Sequence, residues 1–161
     1  MNMMECISTR RNIKSFKSDP IARETVVELL RLASFAPNHR MTEPWEIYFL
    51  GPETREKLAH KTNFGGAPIV LAIACTPAKT QIDRDEHYAA VACFIQNLML
   101  AAWEKGIGTG WSSIAAGERA RQIIGIPEGY EVVGVIPMGI PAELPQVKER
   151  QPIENKLHDR P

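Results

Sequence analysis

The chain has 161 residues, enough for one domain, and 19 Lys plus Arg are balanced by 19 Asp plus Glu. Zero net charge excludes nucleic-acid binding by bulk electrostatic attraction, which needs a strong positive excess. The hydrophobic fraction of 44% is that of an ordinary globular protein, and no apolar run reaches membrane-spanning length without a polar interruption.

Residues 3–9 predict one or two helical turns. Arg10-Arg11-Asn12-Ile13-Lys14-Ser15-Phe16 follows, with three cations in five residues and no acid to pair them. Such a cluster is either a solvated basic turn or a grip for an anion, since the Arg fork fits phosphate. Asp19-Pro20 is a helix-start signal, an N-cap followed by Pro at the first helical position. Val26, Val27, Leu29, Leu30, Leu32 and Ala33 then recur at helical spacing, and Ala36-Pro37 ends the helix. Residues 38–44 read as a loop, 45–50 as a strand closed by Gly51-Pro52, 53–60 as a short charged helix and 63–66 as a turn. The apolar run 68–75 (PIVLAIAC) is typical of a buried strand.

A long helix is expected over about 83–105. Its middle, Ala89 to Trp103, carries only Gln96 and Asn97 as polar residues. A helix apolar all round has to be covered on every side. In a chain this size a second subunit covers one side most easily, so a dimer built partly on this helix is expected. Residues 106–110 (GIGTG) end the helix, 117–124 form a short helix, 130–140 (YEVVGVIPMGI) a second apolar strand, and 141–161 a polar tail. Helix and strand alternate without linkers or repeats, which predicts one α/β or α+β domain over 1–161 with a small central sheet.

Cys6, Cys75 and Cys93 form no CxxC pair and sit in apolar settings, so all three are expected to be small buried hydrophobes. His39, His60, His87 and His158 have no metal-ligand spacing, so no metal is expected. With no signal-peptide pattern at residues 1–7, a reduced, cytoplasmic compartment is the expectation. There is no Ser/His/Asp or paired-carboxylate arrangement for hydrolysis, no P-loop, and no GxGxxG after a strand.

Five segments occur in one order: RRNIKSF at 10–16, APNHRMTEPW at 36–45, GIGTGW at 106–111, IGIPEGYEVVGVIPMGIP at 124–141, and KERQPIENKLHD at 148–159. Each alone is weak. Together the set resembles the nitroreductase family of FMN-dependent oxidoreductases, in its small branch with an APxH…PW loop, over nearly the whole chain. The resemblance implies an α+β three-layer sandwich, a small mostly antiparallel sheet flanked by helices, in an intertwined homodimer with FMN at the interface. It implies hydride transfer from NAD(P)H to the flavin and then, in a ping-pong cycle, to a nitroaromatic, quinone or similar small acceptor. Other flavin chemistry of the same fold (dehalogenation, heterocycle oxidation, flavin breakdown) and a non-enzymatic FMN carrier or sensor are the alternatives. Nucleic-acid and membrane partners are not expected.

By resemblance, Arg10, Arg11 and Arg150 serve the FMN phosphate and ribityl chain, with Asn12 beside them. Lys14 lies at the pyrimidine edge of the ring, and Trp111, Ser112 and Ser113 along the flavin. The loop bearing Phe35, Asn38 and His39 crosses to the flavin of the other subunit. No side chain is assigned as catalytic, because the cofactor carries the chemistry. Two positions depart from the common family pattern. Met41 replaces a frequent Asn and Glu43 a frequent Gln, so His39 is expected to take over the contact that the Asn makes.

Overall fold

The computed structural model describes residues 1–160. Pro161, the end of the expected tail, lies outside the described residues. Four strands, β1 (Trp45–Phe49), β2 (Ile69–Cys75), β3 (Gly108–Thr109) and β4 (Glu131–Gly139), form one antiparallel sheet in the order β1-β2-β4-β3. Five right-handed α-helices accompany it among the described residues: α1 (Met3–Thr9), α2 (Arg23–Ala33), α3 (Pro52–Leu58), α4 (Gln81–Glu104) and α5 (Glu118–Ile124).

Strands β2 and β4 read as continuous apolar runs because both of their faces are covered. Side chains alternate across a strand. Leu71, Ile73 and Cys75 accordingly pack with α2, with Phe94, Ile95 and Leu98 of α4, and with Ile136 and Met138. Val70, Ala72 and Ala74 turn the other way, toward Ile13, Leu58, Phe64, Ala115 and Ala120. The result is the expected three-layer α+β sandwich. Arg55 of α3 ties the outer layer down, donating from Nε to the Leu50 carbonyl (2.8 Å), from Nη1 to Ala67 (2.9 Å) and from Nη2 to Pro68 (3.1 Å).

Several expectations need correction. Helix α2 starts at Arg23, with Ala22 as an N-cap that offers no side-chain bond, and not at Asp19-Pro20. The chain is still held against the sheet there: Lys17 N donates to Ile140 O (2.8 Å), and Ala142 N to Ser15 O (3.0 Å). Helix α4 starts earlier than expected, capped by Thr80, whose hydroxyl accepts from Asp83 N. Cys6 and Cys75 are buried as expected, but Cys93 is exposed.

Cys93 lies on the face of α4 that this chain leaves open. Ala90, Val91, Phe94, Ile95, Leu98, Met99 and Ala102 are buried on one side. Ala89, Cys93 and Gln96 are exposed on the other, with Leu100 half-buried. At 100° per residue these four form one stripe opposite the buried face. The helix is thus apolar nearly all round but buried on one side only within one chain. Beside the stripe, Met3, Cys6, Leu32, Leu100 and Ala101 contribute to a groove of about 350 Å³.

Candidate active site

Three segments that are distant in sequence converge at the β3 edge of the sheet. The first is the basic stretch 10–16, which runs as an edge strand. Asn12 bridges Thr109 in parallel, Ile13 N donates to Thr109 O (2.9 Å), and Phe16 bridges Pro141. The second is the glycine-rich stretch 108–113. Its Trp111 N–H donates to Asn12 Oδ1 (3.1 Å), and Ser112 exchanges two 2.9 Å backbone bonds with Val135. The third is the turn 60–66, whose Gly65 carbonyl accepts from Phe16 N (2.9 Å).

The glycines of the second segment serve chain-to-chain packing. A Cβ at Gly108 would strike Ile13 and Pro141, and one at Gly110 the Ile13 carbonyl and Pro137. Gly134 of β4 similarly makes room for the Trp111 indole, whose Nε1 would stand 2.7 Å from an added Cβ. The third segment is unusual in its backbone. Thr62, Asn63, Phe64, Gly65 and Gly66 all have positive φ, between 45° and 73°, one turn of left-handed helix. For non-glycine residues this costs roughly 1–2 kcal/mol each. The adjacent 10–16 segment explains Gly65, where a Cβ would collide with the Lys14 carbonyl.

Electrostatics single out the basic stretch. Burial, then the nearby Arg150, then Arg11 push the pKa of Arg10 below its usual value. Arg10 is half-buried, and none of the three cations is in an ion pair among the described residues. Arg11 donates only from Nη1, to the Ser8 and Arg10 carbonyls (3.0 Å each). Lys14 is exposed. The hydroxyl of Thr109, the bridge partner of Asn12, is buried without a hydrogen-bond partner. Cations gathered this closely suit an anion.

The remaining predicted site residues fall in two groups. Trp111 and Ser113 are exposed and Ser112 is half-buried beside the cation strand. Phe35, Asn38 and His39 stand apart on the loop after α2. Phe35 is 85% exposed. Asn38 is used within its loop, donating to Ala36 O (3.2 Å) and accepting from Glu43 N (2.9 Å). His39 Nδ1 stands 4.0 Å from Glu86 on α4. The chain therefore does not bring this loop to the cation strand by itself.

Sequence reasoning missed His60. Its Nε2 lies 3.2 Å from Ser112 Oγ, its Nδ1 2.9 Å from Lys61 O, and its ring stacks on Phe64 at 4.5 Å. A single histidine 52 positions from its partner leaves no local pattern to read.

Comparison with known proteins agrees with this architecture. Residues 7–63 and 58–140 match the Nitroreductase family. A protein of Bacillus subtilis strain 168, named "Putative NAD(P)H nitroreductase YfhC", is 33% identical over 96% of this chain and 92% of its own length. A solved nitroreductase-like family protein from Bacillus cereus superposes with a TM-score of 0.90 at 29% identity, covering 99% of this chain and 96% of the other. The NADPH:FMN oxidoreductase of Vibrio harveyi, solved with NAD+, has the same fold (TM-score 0.91, 21% identity, 100% of this chain and 78% of the other).

Proposed function

The chain belongs to the nitroreductase family, and on that premise we propose that it is an FMN-dependent oxidoreductase. It takes hydride from NAD(P)H and passes it to a nitroaromatic, quinone or similar small acceptor. The observation that carries this reading is the unpaired pair Arg10 and Arg11 on the strand that Asn12 ties to the 108–113 segment, with Arg150 of the tail close enough to repel Arg10. A phosphate there would offset the mutual repulsion of the three guanidinium groups and the partial burial of Arg10. The donor set fits FMN.

In this reading Arg10, Arg11 and Arg150 hold the phosphate, with Asn12 fixing the strand that carries the first two and the tail supplying the third. Bound FMN supplies the hydride chemistry itself. Lys14, at the pyrimidine edge, stabilises negative charge gathering there and so raises the reduction potential. Trp111, Ser112 and Ser113 form the wall along the ring. The loop of Phe35, Asn38 and His39 completes the site of a second copy of the chain. The open stripe of α4 supports that assembly as a homodimer, because an apolar face of this length favours burial.

The test is a visible spectrum of the purified protein before and after anaerobic NADPH. Flavin bands that bleach, with turnover once a quinone is added, are expected. A colourless protein that refuses added FMN overturns the reading, and FMN bound without turnover marks a carrier.

A further inference from the structure

The function proposed above leaves one hydrogen-bond chain unused. His60 Nδ1 stands 2.9 Å from the Lys61 carbonyl oxygen, and Nε2 stands 3.2 Å from Ser112 Oγ. A carbonyl only accepts, so the neutral ring carries its proton on Nδ1 and offers the Nε2 lone pair to the Ser112 hydroxyl. This tautomer is assigned from the network. Ser112 Oγ also accepts from Ile114 N (3.3 Å). Stacking on the buried Phe64, with ring planes 12° apart, fixes the plane of the imidazole. His60 also lines an open cavity of about 520 Å³ with Arg55, Glu56 and Asn63, which gives water a path to it.

Resting on the proposed function, we propose that His60 and Ser112 form a proton relay that feeds the reduction of the acceptor. Converting a quinone to its hydroquinone takes one hydride and one proton. The hydride is the cofactor's share and originates in NAD(P)H; the relay supplies the proton. When His60 is doubly protonated, Nε2–H donates to Ser112 Oγ. Both acceptor positions of that oxygen are then filled, by His60 and by Ile114 N–H, so the hydroxyl hydrogen turns away from the ring and into the site. The Ser112 O–H bond breaks as the acceptor oxygen gains its hydrogen, and the His60 Nε2–H bond breaks as Ser112 regains one. The ring returns to its neutral form, and water in the cavity restores the proton. Ser112 meets the acceptor, and His60 is a positioning and relay residue acting through it.

The charged groups around His60 are Lys61 on its own turn, Arg55 and Glu56 of α3 around the cavity, and Lys14 behind Gly65.

Two measurements test the relay. In anaerobic stopped-flow with holoenzyme, a benzoquinone oxidises the NADPH-reduced wild type with a solvent deuterium isotope effect. His60→Gln and Ser112→Ala should slow that oxidation about 100-fold and abolish the isotope effect. The reductive half-reaction of His60→Gln should stay within threefold. Oxidation rates within threefold of wild type in both variants would overturn the relay. The second readout needs neither cofactor nor variant. Nitrogen-15 NMR of the wild-type imidazoles above neutral pH should show His60 as the Nδ1–H tautomer, and the common Nε2–H tautomer refutes the proposal. Protein that takes up no FMN ends the parent reading and the relay with it. Normal flavin reduction with unimpaired quinone turnover in both variants ends the relay alone.

Discussion

The wall made by segments 10–16, 60–66 and 108–113 and the surface made by the 35–43 loop, the open face of α4 and the 142–160 tail differ in how complete they are. The wall is closed by backbone hydrogen bonds within the chain, to the carbonyls of Thr109, Gly65, Val135 and Ile140. The surface instead carries Phe35, Met41, Leu144, Val147, Ile153 and Leu157 in the open, each more than half exposed. The polar wall is held together within one chain, whereas the apolar side chains are left uncovered by it. That contrast is what the proposed site, shared between two copies, predicts for one of them.

The sharpest way to break the comparison is to place the same charge on both faces of α4. Leu98 is fully buried. Leu98→Glu puts an unpaired carboxylate in the core and should cost roughly 4 kcal/mol or more, leaving insoluble or unfolded protein. Cys93→Glu, on the open stripe, should leave the circular dichroism spectrum unchanged and yield a monomer by sedimentation velocity. A dimer that survives Cys93→Glu would remove the stripe from the interface.

Within the wall, Gly65 is the most sensitive position. Its φ of +69° and the Lys14 carbonyl in the way of any Cβ leave no room for alanine. Gly65→Ala should cost about 3 kcal/mol, lowering Tm by about 10 °C, and should loosen the 60–66 turn from Phe16. A melting temperature within 2–3 °C of wild type, about 1 kcal/mol at this size, would mean that the turn relaxes cheaply.

Much of the fold was legible because it rests on long local signals. The runs 68–75 and 130–140 are apolar on both faces and became β2 and β4; the Val26–Ala33 periodicity became α2. The misreadings have tertiary causes. Asp19-Pro20 looks like a helix start, but pairing with Ile140 holds the preceding residues along the sheet. Thr62, Asn63 and Phe64 are ordinary L-residues whose left-handed backbone nothing local announces. In the site, Arg10, Arg11 and Lys14 stood out by composition. Gly108 and Gly110 were visible, but their reason, the approach of Ile13, is a contact across about a hundred residues.

Arg10→Ala probes the electrostatic half of the wall. If Arg10 holds the phosphate, loss of one charge-assisted donor should weaken FMN binding by ~1.5–3 kcal/mol, about 10–150-fold in Kd by flavin fluorescence. Arg11, already committed in part to the Ser8 carbonyl, should cost less when changed to alanine. Equal FMN affinity in wild type and Arg10→Ala would return the cluster to a solvated basic strand.

The smallest expected effect concerns His39, and it tests whether the two regions belong to one site. Among the described residues the His39 side chain pairs with Glu86, its Nδ1 4.0 Å away and half of the side chain exposed. A surface pair of that kind contributes little to stability, ~0–1 kcal/mol. His39→Ala should therefore leave Tm nearly unchanged while weakening FMN binding a few-fold, if the side chain serves the partner's flavin in the proposed dimer. Combining it with Cys93→Glu separates the possibilities. In a monomer the 35–43 loop has no flavin to reach, so His39→Ala should add nothing to the effect of Cys93→Glu on FMN affinity. If the two effects add in full, His39 acts on the flavin of its own chain and the division between a complete wall and a shared surface fails at this residue.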